Sequence, residues 1–242
     1  MSNREEILST IRNILKTQEK GGHDAPAGTL PPPLENVMAP IPPEELAGRF
    51  EQELRSLGCE TYRATTLSAL EGILCSILTH IQARSVVLTR NSVLNQLHIR
   101  SMLEAQGFGV AFWPEDASGQ PQAGTFRDEC FAAEAGITGV DFALAETGSL
   151  VVTSLTEGSQ LASLAPPVHI AIYRRGQIRA TLDEVLQNLP VSREPGSPSP
   201  ARSVVFVSGT SRTADIEQVL IRGVHGPRSV HAILVEESCL AG

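Results

Sequence analysis

Apolar residues in this chain fall into two patterns that take turns: stripes at helical spacing and short continuous runs. Ile7, Leu8, Ile11, Ile14 and Leu15 form one stripe behind Ser2-Asn3-Arg4-Glu5, which reads as a capping box. An amphipathic helix is predicted there, docking its stripe either on its own core or on a partner. Leu46, Phe50, Leu54 and Leu57 predict a helix over 43–58, stopped by Gly58. Leu70, Leu74, Ile77, Leu78 and Ile81 predict another, with Ser68-Ala69-Leu70-Glu71 as its capping box. Leu94, Leu97 and Leu103 mark a helix that opens at Asn91-Ser92 and ends at Gly107. The runs 59–63, 86–89 and 108–112 lie between these stripes and read as strands.

The second half keeps the alternation. A short helix is predicted over 128–135, and 140–145 and 150–153 are β-like. One helical turn at 161–164 and the pair Pro166-Pro167 feed a strand over 168–173, where His169 reads as a structural histidine. Thr181-Leu182-Asp183-Glu184 is a capping box opening a helix with Leu182, Val185, Leu186 and Leu189 inward. Val204 to Val207 reads as a strand buried on both faces, and 230–235 as a second. Between them Ile216, Val219 and Leu220 recur at helical spacing, with Thr213 or Asp215 as N-cap and Gly223 as a left-handed stop. Strand and helix alternating over short connections predict an α/β fold, a largely parallel twisted sheet flanked by helices. Two proline-rich segments punctuate it. Residues 21–43 carry seven prolines between Pro26 and Pro43, and 190–202 carry four. The predicted organisation is an N-terminal helix and linker over 1–43 and an α/β domain over 44–242.

Composition narrows the function classes. The chain has 242 residues, 41% of them hydrophobic, and a formal net charge of −8. That charge argues against nucleic acid or an anionic membrane as the main partner. No apolar run approaches the roughly 18 residues a membrane span needs, and the charged N-terminus does not resemble a signal peptide. A cytoplasmic location is the expectation. Cys59, Cys75, Cys130 and Cys239 are far apart, without a C-x-x-C pair, so reduced thiols are expected and no iron–sulfur cluster held by this chain alone. No His/Asp/Glu group has metal-ligand spacing, and no G-x-G-x-x-G follows a strand, so neither a metal nor a dinucleotide cofactor is predicted.

Two stretches carry candidate chemistry. In Ala145-Glu146-Thr147-Gly148-Ser149 the glycine permits positive φ and close approach of a ligand, and Glu146 is a candidate base, nucleophile or acceptor. The competing reading is a hairpin turn with a solvated glutamate. The second stretch is Ser208-Gly209-Thr210-Ser211-Arg212-Thr213, small hydroxylated residues suited to a tight turn with free backbone N–H groups. It is followed by the return loop Val224-His225-Gly226-Pro227-Arg228. Arg212, His225 and Arg228 gather around one loop system in an acidic chain, where arginine can hold a carboxylate or phosphate in a bidentate pair. Alternatively, Arg228 pairs with Asp215 or Glu217 and braces the fold. Ser211 lacks the G-x-S-x-G elbow of a nucleophile, and His225 is only a candidate base for it.

Taken together, AETGS, LAPPVHIA, SGTSRTADIE and GVHGPR occur in an order and spacing that closely resemble the lactate utilization protein C (LutC/YkgG) family of LUD-domain proteins. The resemblance covers roughly 46–236, and the N-terminal helix and linker are similar to that family's extension. It implies a NagB/RpiA/CoA transferase-like fold and a role in oxidising L-lactate to pyruvate beside two partner proteins that carry the iron–sulfur clusters. Two positions depart from the family pattern. Thr210 stands where proline is more usual, loosening the loop, and Gln160 stands where arginine is common, removing a positive charge. Three functional readings follow. The first is a subunit without clusters in the lactate-oxidising complex, binding a small carboxylate or phosphate-bearing ligand. The second is a stand-alone enzyme similar to the CoA transferases and isomerases, using Glu146. The third is a lactate or pyruvate sensor signalling through the N-terminal helix. A homo-oligomer is compatible with all three.

Overall fold

A computed structural model describes residues 40–113, 123–189, 203–214, 220–223 and 225–240. The N-terminal stripe and both proline-rich segments, apart from residues 40–43, lie outside these. Helix α1 (Leu46–Ser56) buries Ala47, Phe50 and Leu54. Full burial of an apolar side chain contributes about 1.5–3 kcal/mol, which outweighs the ~0.5–1 kcal/mol that the exposed Gly48 costs the helix. Strand β1 (Glu60–Ala64) follows, then α2 (Leu67–His80), capped by Thr66, whose hydroxyl accepts from Ala69 N at 3.1 Å. The cap is therefore Thr66, two residues before the expected Ser68.

Strand β2 (Ser85–Leu88) leads into α3 (Ser92–Gln96) and α4 (Ile99–Ala105), where one continuous helix was expected. His98 breaks it with a left-handed φ of 52°. On a straight helix Leu97 and Ile99 would point about 200° apart, yet both are fully buried; the break turns each toward the core. Then come β3 (Gly109–Phe112), α5 (Ala123–Ala132) and β4 (Ala135–Thr138). Strand β4 falls where the short helix was expected to end. Its opening Ala-Gly carries little β-propensity, and burial on both sides makes it a strand.

Strands β5 (Phe142–Leu144) and β6 (Ser149–Thr153) form a hairpin, and α6 (Ser154–Glu157) closes it. Strand β7 (Val168–Arg174), the short β8 (Ile178–Arg179) and α7 (Leu182–Asn188) lead to β9 (Val204–Val207). The helix expected around 216–220 is not found at its described positions. Strands β10 (Arg212–Ala214) and β11 (Leu220–Arg222) pair antiparallel instead, with Thr213 opposite Ile221. Short apolar repeats suit either period, and β-branched Thr213 and Ile221, paired in register, favour a strand. Gly223 takes its left-handed φ of 83° after a strand. Strand β12 (Ser229–Val235) follows.

The main sheet has the order β1-β12-β7-β4-β2-β3, and every pairing in it is parallel. Alternation along its apolar strands divides the core. Val168, Ile170 and Ile172 of β7 join α2, α3 and α4 on one face; Ala171 and Tyr173 join α1 and the second sheet on the other. That second sheet runs β8-β5-β6-β9, its outer face covered by Val185 and Leu189 from α7 and the residue after it. At the far edge of the main sheet, α5 seats Phe126 edge-on to Trp113, ring centres 5.2 Å apart. Among the described residues, no helix is long and apolar enough to cross a membrane.

Candidate functional site

The β5–β6 hairpin and strand β9 bring the two candidate loops together. Their registers, Leu144 opposite Ser149 and Leu150 opposite Val207, place Ser149 beside Ser208. Their hydroxyls lie 2.6 Å apart, and Thr147 Oγ1 lies 2.7 Å from Ser149 Oγ, a chain of three hydroxyls. Gly148 holds the turn at φ 65°, and a Cβ there would sit 2.4 Å from Leu54 N of α1. The AETGS segment is thus a hairpin turn pressed onto α1. The Glu146 carboxylate points to α7, where it accepts from Leu182 N at 3.0 Å. A carboxylate at that place offsets the positive end of the helix.

Beyond Ser208 the second loop zips to the return loop. Ser211 N donates to Pro227 O at 3.0 Å, Gly223 N donates to Ser211 O at 3.1 Å, and His225 N donates to Ser211 Oγ at 3.3 Å. Gly226 packs against the Ser211 side chain. Arg228 N donates to Pro167 O at 2.7 Å, and its side chain crosses Gly223. The exposed guanidinium bonds to no described residue; Asp215 and Glu217, its expected braces, lie outside the described residues. Thr210 is buried, and its hydroxyl has no hydrogen-bond partner among them. Arg212 and Thr213 lie in β10. The structure therefore unites Thr147, Ser149 and Ser208, and joins Ser211 to His225 and Gly226, while Glu146 is turned away to α7. Because β7 and β12 are parallel, Pro167 and Arg228, which precede them, lie at the N-terminal edge of the main sheet.

The opposite edge holds a group that sequence reasoning missed. Glu157 is fully buried at the end of α6. It accepts hydrogen bonds from Thr89 Oγ1, Asn91 Nδ2, Gly139 N (3.1 Å) and Thr156 Oγ1 (3.2 Å). Burial pushes its pKa above the ordinary carboxylate range, partly offset by the bonds from Thr89 and Asn91. Burial likewise raises Asp141, held by Thr153 N at 2.7 Å and Thr156 Oγ1 at 3.0 Å. Thr89 and Gly139 follow β2 and β4, so this network lies at the C-terminal edge, where open α/β sheets usually bind ligands. The one available signal was the Asn91 cap, whose Oδ1 accepts from Val93 N at 2.9 Å. His169 is fully buried with Nε2 2.9 Å from Thr138 Oγ1, and burial pushes its pKa down to about 4. It is neutral and structural.

Residues 47–235 match the family model of the LUD domain. The chain belongs to the LUD-domain family. Over 97% of its length it is 27% identical to lactate utilization protein C of Halalkalibacterium halodurans, covering 98% of that protein. It is 29% identical to lactate utilization protein C of an Exiguobacterium species, over 98% of this chain and 97% of the other. The crystal structure of a DUF162 family protein from Deinococcus radiodurans superposes with a TM-score of 0.55 at 23% identity, covering 81% of this chain and 99% of that one. That likeness shows the fold. In this LUD-domain chain Gln160, one of the two departures, ties β6 to the segment before β9: its Nε2 donates to Val152 O at 2.6 Å, and its Oε1 accepts from Ser203 Oγ.

Proposed function

We propose that this LUD-domain chain takes part in lactate utilization as a component without clusters, working beside iron–sulfur partner proteins and binding a small carboxylate or phosphate-bearing ligand. The observation that carries the reading is near-full-length similarity to proteins named lactate utilization protein C. The wide spacing of its four cysteines supports leaving electron carriage to partners. The exposed Arg228 guanidinium beside the Ser208–Ser211 loop supports an anion contact there.

The test is an affinity pull-down of the tagged full chain from cells grown on lactate, with iron measured in the eluate. Iron-bearing partners that co-purify support the reading. A chain that comes down alone and free of iron, from cells whose growth on lactate survives deletion of its gene, overturns it. For the ligand, Arg228→Ala is expected to weaken lactate or pyruvate binding at least roughly tenfold; unchanged affinity sinks that part.

A further inference from the structure

Glu157 is fully buried at the end of α6, and Asp141, just before β5, lies half-buried beside it. The Thr156 hydroxyl stands between the two carboxyls, 3.0 Å from Asp141 Oδ2 and 3.2 Å from Glu157 Oε1. A hydroxyl has one proton to donate. Two ionised carboxylates would compete for it, and the one refused would face an oxygen. The two groups also lie within about 6 Å of each other, close enough for each charge to oppose the other. No salt bridge of the described residues includes either carboxylate. Of the segments packed around α6, β6 carries no ionisable residue. Arg90, after β2, bonds main-chain oxygens of α6: its N donates to Glu157 O at 3.4 Å and its Nη2 to Leu155 O at 2.8 Å.

One added proton resolves the conflict. Placed on Glu157 Oε1, it is donated to Thr156 Oγ1, whose own proton turns to Asp141 Oδ2, beside the bond from Thr153 N at 2.7 Å. Oε1 still accepts from Asn91 Nδ2, and Oε2 from Thr89 Oγ1 and Gly139 N. Each of these donors then meets an acceptor, and only the half-buried Asp141 stays charged. Burial pushes both carboxyls above their ordinary range, and the Asp141 charge adds to the rise at Glu157. The pair also ties the two sheets together. Glu157 holds the turns after β2 and β4 of the main sheet, while Asp141 holds Thr153 N at the end of β6, and its own N donates to Val151 O at 2.8 Å.

We propose that Glu157 and Asp141 share one proton through Thr156 near neutral pH, and that its loss at higher pH loosens α6 from the β2 and β4 turns, a pH-sensitive latch between the two sheets. This goes beyond the reading above, since it needs neither ligand nor partner.

Infrared spectra of the full chain read the proton directly, because a protonated carboxylic acid has a carbonyl stretch distinct from that of a carboxylate. Trp113, the only tryptophan in the chain, reads the latch: its indole packs on Gly158, next to Glu157, where a Cβ would fall 2.6 Å from it. At neutral pH the parent is expected to show the acid band. As pH rises, the band should disappear and the Trp113 emission change with one midpoint. Glu157→Gln should lack the band. Asp141→Asn keeps the bonds from Thr153 and Thr156, since one amide oxygen can accept both, and removes the like charge. It should lower the midpoint by about one pH unit, and it carries the test should Glu157→Gln fail to fold. The proposal is overturned if the parent shows no acid band at neutral pH, if the band survives in Glu157→Gln, if Asp141→Asn leaves the midpoint in place, or if the Trp113 emission stays constant while the band disappears.

Discussion

Replacing Gly148 by alanine tests how the AETGS turn is seated. Its φ of 65° is left-handed, which costs an L-residue with a side chain about 1–2 kcal/mol. The new Cβ would lie 2.4 Å from Leu54 N, 2.7 Å from Glu53 C and 2.8 Å from Leu54 Cα. These are backbone atoms in the last turns of α1, so the conflict cannot be relieved by a rotamer change. Overpacking of this kind costs about 1–3 kcal/mol. The expected loss is therefore about 2–5 kcal/mol, read from urea unfolding at constant m. At about 2–4 °C per kcal/mol for a domain of this size, the melting midpoint falls by at least ~4 °C. Gly72→Ala is the internal control: nothing lies within 4 Å of its Cβ position on the exposed side of α2, and no positive φ holds it. It is expected to stabilise by about 0.5–1 kcal/mol. A Gly148→Ala loss below ~1 kcal/mol would refute the reasoning, since α1 would then not be seated on the turn.

Further outcomes follow from Glu157, His169 and the cysteines. Glu157→Gln is expected to cost about 1–3 kcal/mol, because Val93 N fixes the flip of Asn91, and the new NH2 must then face either Asn91 Nδ2 or Gly139 N. Since folding raises the Glu157 pKa, the parent also sheds stability as pH rises through the window above the ordinary carboxylate value, and Glu157→Gln should lack that fall. The opposite sign holds for His169: its pKa drops from 6.5 to about 4, so stability is lost as pH falls through that window, by about 3 kcal/mol, and His169→Leu should remove this acid limb in pH-dependent unfolding. A coloured disulfide reagent should label partly exposed Cys75 first in the native chain; Cys130, fully buried with its thiol pushed up to about 12, should react only on unfolding.

Much of the fold was legible where one period dominated. Strands β7 and β12 are largely apolar, interrupted by His169 and His231, because both faces are covered, so their composition announced them. Helices α1 and α2 were equally clear, since Phe50 and Leu54, and Leu70, Leu74 and Leu78, lie on single stripes. Legibility failed where tertiary burial overrode local pattern. The Ala-Gly that opens β4 has little strand character alone, and the break at His98 lets Leu97 and Ile99 both face the core. The insertion of the last strand, β12, between β1 and β7 left no mark on local sequence at all.

The candidate site divides along the same line. The hydroxyl loops were visible because glycine, serine and threonine cluster there, and the structure does join Ser149 to Ser208 and Ser211 to His225. Glu157 was invisible because Ser-Leu-Thr-Glu-Gly reads as surface; only its place beneath Thr89 and Gly139 buries it. A cavity at the ends of β2 and β3 was hidden for a related reason, since His98 and Arg100 look like the solvated side of a helix in the sequence. Direction along the sheet then separates the two polar centres. In six parallel strands, whatever precedes β7 and β12 sits at one edge, and whatever follows β2 and β3 sits at the other. The return loop with Arg228 and the buried Glu157 network therefore lie at opposite edges, so variants at Arg228 and at Glu157 perturb separate parts of the molecule.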